Sequence, residues 1–211
     1  MLTLVRRFLN QAMWLLSHRS TIESIPAGWS AEGADLALAK DRLTDAIALL
    51  TTTWPRWLHR TRPYAVRIQV RRIIASNGAW HRESRQVDLD HDYLCARDRE
   101  AADIASTLVH EFTHARIDAA GIRYGLATRI RIERVCISQE IAFATRLPPS
   151  EATDQLAARL RRKWELAPET YSTAAAEERF ARAGRDLRMP AWLIRSAIRL
   201  RRWRESREGP A

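Results

Sequence analysis

A chain of 211 residues that is 46% hydrophobic, with seven Gly and eight Pro, is long enough to bury a sizeable core and too apolar to remain disordered. Its net charge of +10 comes almost entirely from arginine, 33 of 35 basic residues, an excess that suits nucleic acid, anionic lipid or acidic substrates, although the arginines are spread along the chain. Cys95 and Cys136 are far apart and form no Cys-x-x-Cys, so they exclude a disulfide framework and read as buried free thiols in a reducing, cytoplasmic setting.

Leu2, Val5, Leu9, Ala12, Met13 and Leu16 recur at helical spacing, which predicts an amphipathic helix whose apolar face packs on the core. Arg6 and Arg7 before a short apolar stretch broken by Asn10 and Gln11 do not make a signal peptide, and no run is long enough for a transmembrane segment. A turn at Pro26 to Gly28 leads to a second helix over 34–52, with Leu36, Leu43, Ile47 and Leu50 on its apolar side. Thr51 to Pro63 reads as a linker whose Trp54 and Trp57 form a packing lid.

The period then changes. Val66, Ile68 and Val70 alternate with Arg67, Gln69 and Arg71, as in a half-buried strand. Ser76-Asn77-Gly78-Ala79 supplies a turn and Gln86 to Asp90 a partner strand.

The most informative stretch follows. In His110-Glu111-Phe112-Thr113-His114 the two histidines lie four positions apart, so on a helix both imidazoles project from one face and grip a single divalent metal. Glu111 stands beside them, where a carboxylate can take a proton from a metal-bound water and pass it to a leaving group. The opposite face carries Ala101, Ala105, Leu108, Phe112, Ala115 and Ala119, small and apolar residues suited to close packing. A catalytic zinc takes three protein ligands. Glu133, which follows His114 after eighteen intervening residues, leads as the third: the spacing allows one helix to end near Asp118, a turn through Gly121 to Gly125, and a second helix back across the first.

In these residues the chain, over about 100–145, resembles the gluzincin branch of the zincin-like metallopeptidases. The resemblance implies zinc (Zn2+) on His110, His114 and Glu133, Glu111 as general base and acid, and a peptide or protein substrate. Two features depart from it: Ile137 stands where thermolysin-like enzymes carry an acid, and the Gly-x-Met-Glu-Asn segment of gluzincin aminopeptidases is missing. Glu140 returns to nearly the same helix face as Glu133 and is an alternative ligand, a group that orients one, or the partner of an arginine. Asp118, one turn past His114, either accepts that imidazole's N–H or pairs with an arginine. Cys136, one turn from Glu133, is close enough to touch a metal by accident. For an oxyanion donor the sequence offers His81, His91, Tyr93 and Tyr124 without choosing among them.

Leu147-Pro148-Pro149-Ser150 ends the ligand helix, and 151–166, 172–184 and 190–204 read as helices. The last carries Trp192, Leu193, Leu200 and Trp203 with Arg195, Arg199, Arg201, Arg202 and Arg204; it is expected to dock on the core with its arginines solvated, an anionic membrane surface or nucleic acid being the alternative.

The expectation is therefore an α+β, predominantly helical protein. It comprises an N-terminal helical region 1–61, a zincin-like metal-binding core 62–147 with a small antiparallel-containing sheet before the metal-binding helix, and a basic helical region 148–211, together one compact domain. The expected function is zinc-dependent peptide-bond hydrolysis. The alternative is a non-catalytic protein, binding nucleic acid or an anionic surface, with a structural or vestigial metal site. A protease recruited to DNA, as in the SprT-like proteases, would combine the two, but their third ligand is a histidine and no His follows His114.

Overall fold

The computed structural model describes residues 2–30, 33–73, 76–125, 127–186 and 188–207. Helix α1 (Leu2–Leu16) is followed by strands β1 (His18–Ile22) and β2 (Ile25–Trp29), where the sequence suggested only a turn. The hairpin between them turns on Glu23 and Ser24, both at positive φ (48° and 63°), a geometry usually signalled by Asn or Gly. Neither residue advertises it, so the hairpin was hidden.

Helix α2 (Gly33–Thr53) matches its predicted span and buries Leu43, Ile47 and Leu50. The expected linker is instead a third helix, α3 (Pro55–Thr61), started by Pro55 in the first turn, where a missing N–H costs nothing. Its Trp57 and Leu58 are buried, so the tryptophan does pack.

Strands β3 (Arg67–Arg71), β4 (Gly78–His81) and β5 (Gln86–Asp90) complete one five-stranded sheet of order β1-β2-β3-β5-β4. Strands β3 and β5 pair in parallel, and β4 lies antiparallel on the outer side of β5, at the sheet edge. The sheet also joins strands from either side of residue 61, inside the segment expected to be helical.

Alternation along the strands gives the sheet two faces. Ala27, Trp29, Ile68, Val70, Val87 and Leu89 are all fully buried on one, which forms the core with α2 and α5 (Ala101–Ala119). The other face is polar yet not solvated: Gln69, Gln86 and Asp88 are fully buried too. Helix α1 covers it. Trp14 lies under Arg67 with the guanidinium 4.6 Å from the ring, Gln11 Oε1 accepts from Arg67 at 3.0 Å, and the Trp14 ring and Ser17 crowd Gly28. Helix α1 thus turns its polar and aromatic side to the sheet and exposes Phe8, Leu15 and Leu16, the reverse of the predicted orientation; the side chains of Leu2, Val5 and Leu9 lie outside the described residues.

The short α4 (His91–Cys95) leads into α5, and α6 (Arg129–Ala144) packs back across α5. Then come α7 (Glu151–Glu165), the single turn α8 (Ala167–Thr170), α9 (Thr173–Asp186) and α10 (Ala191–Arg207). The fold is α+β and predominantly helical, with a small mixed sheet. Among the described residues no helix is long and apolar enough to cross a membrane.

Candidate metal centre

Helix α5 is held at both ends and along one side. At its start, Glu100 and Asp103 form a capping box, with the Glu100 N–H donating to Asp103 Oδ2 at 3.2 Å. The other oxygen of Asp103 pairs with Arg159 of α7 at 2.6 Å. At its end Gly121 takes φ +83° and the N–H groups of Gly121 and Ile122 return to the carbonyls of Asp118 and Ile117, a Schellman closure that turns the chain toward α6. Ala105, Leu108 and Phe112, on the predicted apolar stripe, are fully buried, and Trp57 stacks on Phe112 at 6.4 Å while donating to Gln139 of α6 at 3.2 Å. The two helices are therefore clamped together from the α3 side.

The opposite side of α5 faces α6 with His110 and His114. Their Nε2 atoms are 3.1 Å apart, and the Glu133 carboxylate meets them at 3.1 Å from His110 and 3.5 Å from His114. The two contacts are made by different oxygens, Oε2 to His110 and Oε1 to His114, so the carboxylate spans the histidine pair. Glu133 Oε2 is buried, and its near neighbour is His110 Nε2 at 3.1 Å. Cys136 Sγ belongs to the same cluster: it and one ring nitrogen each from His110 and His114 all lie within 4.8 Å of one another. His110, His114 and Cys136 thus form a cluster able to hold a metal ion, and the Glu133 carboxylate lies against both of its histidines.

The surrounding groups orient these donors. Glu140 is 2% exposed and one of its oxygens hydrogen-bonds His110 Nδ1, which leaves Nε2 for the cluster. Lys163 of α7 bonds both Glu140 oxygens, at 2.9 and 3.1 Å. Tyr124, in the connection between α5 and α6, donates to Glu133 Oε1 at 2.6 Å and sets its ring edge-on to His114.

Glu111 is buried against β4. A methyl group on Gly78 would stand 3.0 Å from its Cγ, its Oε1 and Thr107 Cγ2, so the bare backbone of Gly78 is what lets the edge strand close on this carboxylate.

Charge separates the carboxylates. Burial drives Glu111 up to about 7, with the positive charge of His110 opposing and Glu133 adding to the rise. For Glu133 burial acts in the same direction, but the hydrogen bond and charge of His110 overcome it and hold the group down to about 2. Glu140 is likewise lowered, against its burial, by His110 and Lys163. His110 rises to about 9 because Glu140 and Glu133 outweigh its burial, whereas burial and then the charge of His110 drop His114 to about 4. Two anions thus hold one proton between them on His110, a place where a divalent cation would be held more strongly.

The other sequence candidates separate cleanly. Asp118 pairs with Arg82 at 3.3 Å, the second of its two readings. His81 bonds Asp88 at 2.7 Å on the far face of the sheet, His91 contacts Asp92 and Cys95, and Tyr93 bonds Thr107 at 3.1 Å. Of the four oxyanion candidates, Tyr124 is the one hydrogen-bonded to the cluster. Lys163 and Tyr171 were missed. The hydroxyl of Tyr171, between α8 and α9, is raised by burial and then by the charges of Glu133 and Glu140. Nothing in the sequence linked residues as far beyond the ligand helix as Lys163 and Tyr171 to this site.

Comparison with protein families, with curated proteins and with solved structures finds no match, so the functional reading rests on the residues themselves.

Proposed function

We propose that this chain is a zinc-dependent metallopeptidase in which His110, His114 and Glu133 hold the metal. The observation that carries the proposal is the convergence of His110, His114 and the Glu133 carboxylate, in contacts of 3.1 to 3.5 Å, beside a buried carboxylate lifted to about 7. When bound, zinc supplies Lewis acidity and makes hydroxide available near neutral pH. Glu111, poised at the working pH, takes the proton from the attacking water and delivers it to the leaving amide nitrogen, so the carboxylate ends as it began. Glu140, neutralised by Lys163, keeps the His110 ring turned toward the metal, and Tyr124 fixes Glu133. Strand β4 ends the sheet, and its outer edge offers main-chain groups to an extended peptide while Gly78 holds the strand against Glu111. The free thiols of Cys95 and Cys136 suit a cytoplasmic enzyme.

A second reading is supported by Cys136. With its thiolate as a ligand beside His110, His114 and Glu133, all four tetrahedral positions would be filled, which makes a structural centre in a non-catalytic protein. The test is zinc content and hydrolysis of an unfolded protein substrate in wild type, Glu133→Ala and Cys136→Ser. The peptidase proposal expects zinc lost in Glu133→Ala and both zinc and hydrolysis kept in Cys136→Ser. Zinc lost in Cys136→Ser, with no hydrolysis in wild type, would replace it with the structural centre.

A further inference from the structure

Helix α10 was expected to dock its tryptophans and leucines, but Ile194 takes that place: it is 6% exposed and seats against Gly184 of α9, while Trp192, Leu193, Leu200 and Trp203 remain at the surface. Its Arg202 reaches Glu177 of α9 at 2.6 Å. The arginines ahead of α5 stand in different company. Between Asp45 and Glu83 the chain has seven arginines and no acidic residue. Five of the seven are engaged in the structure, Arg62 with the Ser24 carbonyl, Arg67 with Gln86, Arg71 with Asp88, Arg72 with Asp92 and Arg82 with Asp118. Arg56 and Arg60 of α3 are both exposed, and their side chains have no ion pair or hydrogen bond among the described residues.

At 100° per residue Arg56, His59 and Arg60 share an arc of about 100° on α3, opposite the buried Trp57, Leu58 and Thr61 that hold the helix to the core. That arc borders an open cavity of about 280 Å³ lined by Pro55, Arg56, His59 and Arg60. Its lining is mainly apolar, so the proline ring and the arginine stems form the wall and the guanidinium groups stand at the rim. At the start of the helix a further guanidinium, that of Arg146, lies 4.3 Å from the centre of the Trp54 ring. A small apolar hollow is thus edged by cations, and no acid of this segment opposes them.

We propose that this face of α3 binds single-stranded nucleic acid, with a base seated against Pro55 and His59 and the flanking phosphates on Arg56 and Arg60. A flat surface for a ring beside unpaired guanidinium groups is the chemistry that holds a strand without reading its sequence. An open cavity cannot surround one phosphate, whereas a strand brings successive phosphates to the same row of cations, so a polyanion is selected over free phosphate. The hollow selects a single strand over a duplex, whose bases are already stacked on one another. It also selects a strand over lipid, because no residue from Pro55 to Thr61 is an exposed large apolar side chain that could enter the acyl chains. The inference does not rest on the metal centre.

The experiment is fluorescence anisotropy of a labelled oligothymidylate titrated with the full chain, for wild type, Arg56→Glu/Arg60→Glu, His59→Ala and, as a control with the same change of charge, Arg195→Glu/Arg199→Glu. Affinity should fall about tenfold or more in Arg56→Glu/Arg60→Glu, about fivefold in His59→Ala, and far less in the control. With two phosphate contacts removed, the slope of log affinity against log salt should shrink by about 1.4. If a substituted chain does not fold, wild-type hydrogen exchange over 55–61 with and without the oligonucleotide gives the same answer: these amides should gain protection. Affinity unchanged in Arg56→Glu/Arg60→Glu, or lowered equally in the control, would overturn the proposal. So would a duplex bound as tightly as the single strand, anionic vesicles bound through Arg56 and Arg60 where the strand is not, or amides of α3 that stay unprotected.

Discussion

Among the described residues two places bury carboxylates, and they treat them differently. On the far face of the sheet Asp88 is fully buried, yet His81 bonds it at 2.7 Å, Arg71 at 2.5 and 2.7 Å, and Gln86 at 2.6 Å. Between α5 and α6, Glu111, Glu133 and Glu140 share His110, His114 and Lys163, and Glu111 is raised to about 7. Burial pushes each of these carboxylates up. At Asp88 the His81 hydrogen bond and the charges of His81 and Arg71 more than compensate. At Glu111 they do not. Full satisfaction is what a structural ion-pair network looks like, and residual frustration marks a site that awaits a charge.

The contrast predicts opposite phenotypes. The largest effect belongs to Glu111→Gln, which removes the proton carrier and keeps its shape. Hydrolysis should drop by about 10²- to 10⁴-fold with zinc content and melting temperature near wild type. Peptidase activity equal to wild type would remove Glu111 from the mechanism.

Asp88→Ala should do the reverse. It leaves His81 and Arg71 without their anion, and because both are about a quarter exposed the cost is discounted to about 2 kcal/mol of stability, read by denaturant titration. Zinc stoichiometry should not change; if it fell, the two regions would not be independent.

Glu140→Gln acts inside the site without removing a donor. Losing the carboxylate on His110 Nδ1 should weaken zinc about 10- to 100-fold in a competition titration with a chelator. Retained affinity would make Glu140 and Lys163 a mere ion pair. A smaller effect is expected from Gly78→Ala, whose methyl must push Glu111 or Thr107 by a few tenths of an ångström from 3.0 Å contacts. Hydrolysis should fall about tenfold with zinc still bound.

The gentlest perturbation is pH. Asp88 is lowered from 3.8, so the stability it adds is present above about 4 and drains as pH falls through its folded value. Glu111 is raised from 4.5 to about 7, so in metal-free protein its proton is held longer when folded, and stability declines as pH rises between those values. Comparing thermal denaturation of metal-free wild type and Glu111→Gln should isolate that decline, and its persistence in the variant would assign it elsewhere.

Much of the α5–α6 region was legible in the sequence because its rules are local. Four-residue spacing put His110 and His114 on one face, the apolar stripe put Leu108 and Phe112 inside, and the stretch from His114 to Glu133 allowed one reversal closed by Gly121. The sheet was harder to read. Its hairpin turns on Glu23 and Ser24, which carry no turn signal, and the parallel pairing of β3 with β5 is a tertiary choice that the alternation of Val66, Ile68 and Val70 does not encode. Helices α1 and α10 failed for a related reason. Periodicity tells which residues share a face, but whether that face turns inward depends on partners elsewhere, here the polar sheet face over which α1 lies and the Gly184 notch that takes Ile194.

The most direct test is metal analysis of purified, zinc-reconstituted wild type beside His110→Ala. We predict about one zinc per chain in wild type and none in a folded His110→Ala, since this imidazole stands at the centre of the donor set. No zinc in wild type, or equal zinc in both, would contradict the account.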